Sequence, residues 1–233
     1  MINKEVQNIA EALSDVRDGS VIMVGGFGSV GQPDALIEGL IVQGARNLTI
    51  IANNAGSGII GLAKLMAAGH VRKIICSFPR SAGSTVFEEL FSAKKLELEI
   101  VPQGTLAERI RAAGAGIPAF YTATTVGTTL AEGKETREFG GRTYVMERAL
   151  HADVALVEAW RTDRMGNCIY RESGRNFNAV MAMASDRTIV QSCGMVKVGE
   201  IDPETVVTPG IFVDRVVVVP VSATVDKTTE GAP

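Results

Sequence analysis

The sequence holds few of the residues that build metal centres, disulfide frameworks or nucleic-acid surfaces. Its three cysteines form no C-x-x-C pair and it has only two histidines, so neither a zinc site nor a disulfide framework is indicated. Lys and Arg number 23 against 26 Asp and Glu, whereas proteins that bind the nucleic-acid backbone usually carry a basic excess. No apolar run reaches the roughly 18 residues of a membrane span. We therefore expect no metal, no nucleic-acid partner and no membrane partner.

The compartment is predicted from the cysteines and the N-terminal segment. Cys76 follows Ile74 and Ile75 in an apolar run, which is typical of a buried, reduced thiol. Residues 1–19 are charged and amphipathic, and they lack the apolar core of a secretory signal. A cytoplasmic location is expected on both grounds.

What the sequence does contain is typical of a folded enzyme. Hydrophobic residues make up 46% and charged residues 21% of the 233 residues, a composition that excludes disorder for the body of the chain. Glycine is frequent, with 25 residues, while aromatic residues reach only 5%. Many tight turns and few large rings favour a sheet-and-loop architecture.

Short apolar runs alternate with helical patterns through the first half of the chain. We expect strands at 21–24, 48–51, 72–78 and 96–101, and helices at 3–17, from Pro33 to Gly44, and at 58–68, 84–93 and 105–113. Continuous apolar strands between helices predict βαβ units. The fold class is therefore α/β, an open, mostly parallel sheet with helices on both faces.

The second half has a different texture. The segment EFGGRTY at 138–144 predicts a β-hairpin that turns at Gly140 and Gly141. Further strands are expected at 154–160, 168–170, 187–191 and 211–219, with a turn at 163–167 and a helix at 176–184. We predict a single domain over residues 1–220, with the hairpin as a small lobe on it, and a disordered tail over residues 221–233.

A glycine-rich loop follows the first predicted strand. Residues 26–31 match G-x-G-x-x-G between a strand and a helix, the context of a dinucleotide site. The acidic residue that such a site needs about 20 residues on is missing, because the second strand ends at Asn53 and Asn54. The pattern leaves three interpretations open: a structural turn, a nicotinamide site, or a loop for another ligand.

Amide side chains follow two of the predicted strands. Asn53 and Asn54 come after the strand at 48–51, and Gln103 comes after the strand at 96–101. Ligands of open α/β sheets bind at the carboxyl ends of strands, so these amides and the glycine loop are expected to converge on one crevice. The alternatives are an Asx turn at Asn53–Asn54 and local helix N-terminal bonds at Gln103.

Several segments together resemble the family I coenzyme A transferases. Residues 18–33 (DGSVIMVGGFGSVGQP) fill every fixed position of the family's first signature. Further similar segments, in the same order, are 50–56 (IIANNAG), 101–111 (VPQGTLAERIR), 114–120 (GAGIPAF), 163–167 (DRMGN) and 173–177 (SGRNF). The resemblance covers about residues 2–218 and implies the fold expected above.

The resemblance is to the A (α) subunits of two-subunit 3-oxoacid CoA-transferases. It implies transfer of CoA from succinyl-CoA to a 3-oxoacid. The segments 1–4, 76–80 (CSFPR) and 150–153 favour 3-oxoadipate as acceptor over acetoacetate or another short-chain acid. It also implies a CoA thioester as substrate without a permanently bound cofactor, and a β-subunit partner in a heterodimer or an A2B2 heterotetramer.

The family nucleophile is a glutamate in an S-E-N-G segment, which this chain lacks. The resemblance therefore places the nucleophile, and the glutamyl-CoA thioester it forms, on the partner subunit, with no catalytic residue here. Attack on a thioester builds negative charge on the carbonyl oxygen, so we expect Asn53, Asn54 and Gln103, which follow predicted strands, to stabilise that oxyanion. The residues implied to bind the CoA or acyl group are Val24, Gly25, Gly26, Phe27, Gly28, Ser29 and Val30.

Charged residues elsewhere have weaker functional signals. Arg80 follows the strand at 72–78 and is our candidate for binding the acceptor's second carboxylate, against the alternative of an exposed loop arginine. Glu108, with Arg109 and Arg111, is either a solvated helix face or part of a subunit contact. His151 is expected to be structural.

Two functions from other classes remain to be weighed. A sugar-phosphate isomerase would need an acid and a base near the glycine loop, and none is placed there by the sequence. An effector-binding sensor domain would be joined to a DNA-binding module, and no helix-turn-helix extension is present in these 233 residues.

Overall fold

The computed structural model of the protein describes residues 2–80 and 83–220; the tail predicted at 221–233 lies outside the described residues. The strands are β1 (Val21–Val24), β2 (Leu48–Ile51), β3 (Val71–Cys76), β4 (Glu97–Ile100), β5 (Ala119–Thr122), β6 (Thr136–Phe139), β7 (Arg142–Arg148), β8 (Ala152–Ala159), β9 (Arg161–Asp163), β10 (Cys168–Ile169), β11 (Ser185–Ser192), β12 (Met195–Val196) and β13 (Arg215–Val218). The α-helices are α1 (Ile9–Ala12), α2 (Asp34–Gln43), α3 (Gly61–Ala67), α4 (Val86–Ser92), α5 (Gln103–Gly114) and α6 (Asn178–Ala182).

A seven-stranded sheet in the order β13-β11-β8-β1-β2-β3-β4 forms the centre of the fold. All six of its neighbouring strand pairs are parallel. This confirms the predicted α/β class. Because the strands run the same way, β1, β2 and β3 end at the same edge, and the loops that follow them meet there.

Helices cover both faces of this sheet, as expected from strands that are apolar throughout. On one face, Ile50 of β2 is buried with Leu36 of α2 and Leu65 of α3. On the other face, the next residue, Ile51, is buried with Leu106 of α5. Successive side chains of a strand point to opposite faces, so one short apolar strand contributes to two cores.

The helix predicted at 3–17 is wrong for most of its length. Only α1 is helical there, and its start is capped by Asn8, whose side-chain oxygen accepts from the Glu11 N–H at 2.9 Å. Residues before it extend along β13 instead: the Val6 N–H donates to the Val216 carbonyl at 2.9 Å, and the Val216 N–H donates to the Lys4 carbonyl at 2.8 Å. An edge strand leaves its backbone groups open, and pairing with them outweighs the helical pattern.

The hairpin lobe is confirmed and is larger than predicted. β6 and β7 join at Gly140 and Gly141, whose φ angles are +58° and +76°, a backbone that favours glycine. β5, which we did not predict, pairs with the other edge of β7 to give a three-stranded antiparallel sheet. Two other short strands, β9 and β12, were also missed; with β10 they form a second small sheet.

The remaining differences are at element ends. The strand expected at 211–219 begins only at Arg215, because residues Gly210–Phe212 form a 3₁₀ turn.

The three charged residues of α5 lie in two different environments. Glu108 and Arg111 pair at 2.7 Å near the surface, whereas the Arg109 side chain is only 12% exposed and contacts Glu99 at 3.1 Å. Arg109 therefore packs into the protein and does not belong to a solvated helix face.

Candidate active site

A cleft of about 510 Å³ opens where β1, β2 and β3 end and α5 begins. The described residues that line it are Phe27, Gly28, Asn53, Asn54, Ser57, Ser77, Phe78 and Gln103. The structure therefore brings together five of the residues predicted from sequence: Phe27, Gly28, Asn53, Asn54 and Gln103. Ser57, Ser77 and Phe78 were not predicted to contact a ligand.

Asn53 lies at the centre of this group and is almost completely buried. Its Oδ1 accepts two hydrogen bonds, from Gln103 Nε2 at 2.8 Å and from Ser77 Oγ at 3.0 Å. Its backbone carbonyl accepts from the Ser77 and Phe78 N–H groups, each at 3.1 Å. With Oδ1 occupied by two donors, Nδ2 is the end of this amide left to donate to a molecule in the cleft.

Asn54 behaves differently from its neighbour. Its Oδ1 accepts from the Gly56 N–H at 2.8 Å, which is the Asx turn weighed as the alternative. The Asx turn is thus formed by Asn54 and not by Asn53. Because the turn uses the oxygen, the Asn54 amide nitrogen can also serve as a donor at the cleft wall.

Gln103 is the first residue of α5, yet its side-chain nitrogen reaches Asn53, 50 residues away in sequence. The alternative of local bonds at the helix start does not describe this contact. Gln103 and Ser77 fix the orientation of the Asn53 amide, and Gln103 lines the cleft itself.

The glycine loop forms a tight turn at the cleft mouth. The Phe27 N–H donates to the Val30 carbonyl at 3.0 Å, and the Val30 N–H donates back at 3.2 Å. Gly28 within the turn has φ +61°. Phe27 and Val30 are 50% and 45% exposed, so the turn presents two apolar side chains to solvent. Val24, Gly25 and Gly26 are buried behind it.

Two asparagines that were not predicted to have a function hold this loop. Asn176 Oδ1 accepts from the Gly26 N–H at 3.1 Å, and Asn176 Nδ2 donates to the Val30 carbonyl at 3.0 Å. Asn178 Nδ2 donates to the Gly31 carbonyl at 2.8 Å, and its Oδ1 accepts from the Glu158 N–H at 3.0 Å. The sequence signals were the family-like segment SGRNF at 173–177, which contains Asn176, and the NFN run at 176–178.

Arg80 is not among the residues that line the cleft. Its side chain is 78% exposed, and its Nε is 3.6 Å from Glu88 Oε1. Phe78, two residues earlier, does line the cleft. The role predicted for Arg80 stays a prediction.

The described part of the cleft wall holds no carboxylate, histidine, lysine or cysteine, and its two hydroxyls, Ser57 and Ser77, have no general base beside them in that lining. Cys76, next to Ser77, is buried, and burial raises its thiol pKa to about 12, which leaves it protonated and unreactive. His70 is buried with Nδ1 2.7 Å from the Ala45 carbonyl, and His151 lies 3.6 Å from Asp186. Neither histidine lines the cleft.

Residues 2–80 and 83–220 contain neither a metal-binding cluster nor a membrane-spanning helix. No group of three or more His, Cys, Asp or Glu side chains there could hold a metal ion. None of the helices in the same residues is both long and apolar enough to cross a bilayer.

Ligands of open parallel α/β sheets bind beyond the carboxyl ends of the strands, and the amide side chains of this cleft lie at that edge. Residues 6–219 match the sequence model of the family described as Coenzyme A transferase. The chain belongs to the coenzyme A transferase family, whose substrates are coenzyme A thioesters.

Two relatives agree with this assignment, and a solved structure shares the fold. The chain is 60% identical over 219 residues to the A (α) subunit of 3-oxoadipate CoA-transferase from Pseudomonas putida, covering 94% of this chain and 95% of the relative. It is 51% identical to the corresponding subunit of succinyl-CoA:3-ketoacid coenzyme A transferase from Xanthomonas campestris pv. campestris (strain B100), covering 92% and 87%. Glutaconate coenzyme A-transferase of Acidaminococcus fermentans has the same fold, with TM-score 0.85, 24% identity, and coverage of 95% and 77%.

Proposed function

We propose that this chain is the α subunit of a transferase that moves CoA from succinyl-CoA to 3-oxoadipate. The observation that carries the proposal is the Asn53 amide, which is held by Gln103 and Ser77 in a cleft lined by three amide side chains. The 60% identical relative is named as a subunit of 3-oxoadipate CoA-transferase, which supports this acceptor.

The reaction needs a nucleophile that the described cleft wall does not supply. A glutamate on the partner attacks the carbonyl carbon of succinyl-CoA, and the C–S bond breaks to give a mixed anhydride and CoA thiolate. The thiolate then attacks the glutamyl carbonyl carbon, which releases succinate and leaves a glutamyl-CoA thioester. The same steps in reverse, with 3-oxoadipate as the incoming carboxylate, form 3-oxoadipyl-CoA and restore the glutamate.

The residues of this chain stabilise charge that appears during these steps. Each attack puts negative charge on a carbonyl oxygen, and fixed N–H donors lower the energy of that oxyanion. We assign this role to Asn53 Nδ2, with Asn54 and Gln103 beside it. Phe27, Gly28, Ser29 and Val30 form the turn against which the CoA or acyl chain lies, while Val24, Gly25 and Gly26 shape that turn from behind.

One alternative acceptor is favoured by a specific observation. The 51% identical relative is named as a subunit of succinyl-CoA:3-ketoacid coenzyme A transferase, so acetoacetate or another short-chain 3-oxoacid is the second candidate. The nicotinamide site is disfavoured, because β2 leads into Asn53 and Asn54 where a carboxylate would be needed. The isomerase is disfavoured because no acid–base pair lines the described cleft wall.

The assembly and its setting are part of the proposal. The relatives are named as subunits, which supports a β-subunit partner, and we propose a heterodimer or an A2B2 heterotetramer in the cytoplasm. Residues 1–220 are proposed as one domain. The exposed turn side chains Phe27 and Val30 are in a position for the partner to cover them.

Co-expression with a β subunit that carries S-E-N-G tests the function. We expect the purified complex to transfer CoA from succinyl-CoA to 3-oxoadipate, and the isolated chain to show no turnover because it lacks the nucleophile. The matched control is a complex in which the partner's S-E-N-G glutamate is replaced by glutamine, which should assemble and remain inactive. Robust activity from the isolated chain, or none from the complex with either 3-oxoacid, would refute the proposal.

Replacing Arg80 by alanine tests the assignment of the acceptor carboxylate. We expect kcat/KM for 3-oxoadipate to fall by roughly 10-fold, the effect of losing one charge-assisted contact, with acetoacetate activity retained. Arg72 is the matched control, because it is also exposed and ion-paired, with Glu97 at 2.9 Å, but precedes the buried end of β3. Equal losses with both acceptors, or a similar loss in Arg72→Ala, would remove Arg80 from acceptor recognition.

A further inference from the structure

A second cavity of about 440 Å³ adjoins the cleft, and Phe27 lines both. Its other described lining residues are Val30, Glu172, Ser173, Arg175 and Asn176. A ligand that extends past the Phe27 ring can therefore contact both cavities. Neither charged residue of this second cavity was predicted from sequence to have a function.

Arg175 is the unusual group in this cavity. It is exposed at the cavity wall, and it neither pairs with a carboxylate nor donates a hydrogen bond to any of residues 2–80 and 83–220. The one acidic lining residue, Glu172, lies instead against Arg171, with Oε1 3.5 Å from Nε. A guanidinium in this position keeps its five N–H donors available, so the cavity favours a negatively charged occupant.

Arg171, which precedes the cavity residue Glu172, packs together with Arg161 on one aromatic ring. The Arg171 guanidinium is 4.9 Å from the centre of the Trp160 ring, and the Arg161 guanidinium is 4.1 Å from it. Stacking on an aromatic face holds an arginine in place without neutralising it. Glu172 is therefore paired with Arg171, and among the described residues that line the cavity the positive charge of Arg175 has no carboxylate partner.

The backbone that carries Arg175 is fixed to the glycine loop. The Gly174 carbonyl accepts from Asn178 Nδ2 at 2.9 Å, and the same amide nitrogen binds the Gly31 carbonyl at 2.8 Å. Asn176 binds both sides of the turn, at Gly26 and Val30. Hydrogen bonds on both sides of Arg175 therefore link its backbone to the turn that borders the cleft.

We propose that Arg175 forms an anion subsite that binds a charged group of the substrates while their thioester lies in the cleft. The chemistry is that of an oxyanion that an arginine fork binds bidentately. Within the proposed function, on which this inference rests, the group is either the distal carboxylate of the dicarboxylic acyl chain or a phosphate of coenzyme A.

Binding to the purified complex of this chain with its β subunit tests the subsite without requiring turnover. Calorimetry would compare succinate, its monocarboxylate analogue butyrate, and adenosine 3′,5′-bisphosphate on the wild type, Arg175→Met and Arg175→Lys. We expect Arg175→Met to weaken the binding of either succinate or the bisphosphate by roughly 10-fold or more, with the affinity for butyrate unchanged. Weaker binding of succinate would identify the carboxylate as the group in the subsite, and weaker binding of the bisphosphate would identify the phosphate. Arg175→Lys should retain part of the affinity that Arg175→Met loses.

Arg171→Met is the matched control, since Arg171 neighbours the cavity but contacts Glu172 and Trp160. Unchanged affinity for both anions in Arg175→Met would overturn the proposal. So would an equal loss in Arg171→Met, or failure of both Arg175 variants to assemble, which would make the residue structural. A wild-type complex that transfers no CoA would refute the proposed function alone, because the two binding measurements still decide whether the anion subsite exists.

Discussion

Replacing Asn53 by alanine should lower kcat by roughly 10²–10³ while changing KM little, as expected for one lost oxyanion donor. The physical reason is that Gln103 and Ser77 occupy Oδ1, which leaves Nδ2 as the donor that we propose for the oxyanion, with its orientation fixed before substrate arrives. A donor fixed in advance stabilises charge that appears only as the carbonyl is attacked, which raises kcat without tightening ground-state binding. Steady-state kinetics of the complex with 3-oxoadipate measures both constants.

The fold around position 53 should tolerate this change. The bonds to the Ser77 and Phe78 N–H groups are made by the backbone carbonyl of residue 53, and they remain when the side chain is shortened. Thermal unfolding should therefore shift little relative to the lost activity. Gln103→Ala should have the same kind of effect, and the double variant should lose less than the product of the two, since Gln103 and Asn53 act through one contact. A rise in KM with kcat unchanged would contradict an oxyanion role.

The convergence of the amides was predictable because it depends on topology alone. Once β1 to β4 are known to be parallel, residues that follow them must meet at one edge, and Asn53, Asn54 and Gln103 do so. The spacing of residues along the sequence could not predict which hydrogen-bond partners each amide side chain would have. Asn53 and Asn54 are adjacent and chemically identical, yet one binds distant side chains and the other closes a local turn.

The residues that sequence patterns did not reveal share a dependence on distant contacts. Asn176 reaches the glycine loop across 150 and 146 positions, at Gly26 and Val30, and no local pattern encodes that distance. The error at residues 3–17 has the same origin. Helical periodicity describes one segment by itself, whereas residues 4–6 pair with β13, more than 200 positions away.

Replacing Gly28 by valine should lower turnover by at least about 100-fold. The turn borders the cleft, and misplacing a reactant by about 1 Å has an effect of that size. Gly28 has φ +61° and lines the cleft, and a Cβ built there meets no atom within 4 Å. The added side chain therefore meets no steric conflict inside the protein and projects into open space at the cleft. The β-branched residue also disfavours the left-handed backbone by about 1–2 kcal/mol. Initial rates of the purified complex measure the loss.

Gly116→Val separates the effect on the cleft from the effect on the backbone. Gly116 has φ +70° and equally open surroundings, but it follows α5 and does not line the cleft. Both variants should be destabilised to a similar degree and should assemble with the β subunit, whereas only Gly28→Val should lose turnover. Gly25→Ala should behave differently from both variants. Its Cβ would overlap the Asn178 side chain that holds the loop, so we expect this variant to fail to assemble. If Gly28→Val and Gly116→Val lost activity equally, the turn would be structural and the claim that it contacts substrate would be lost.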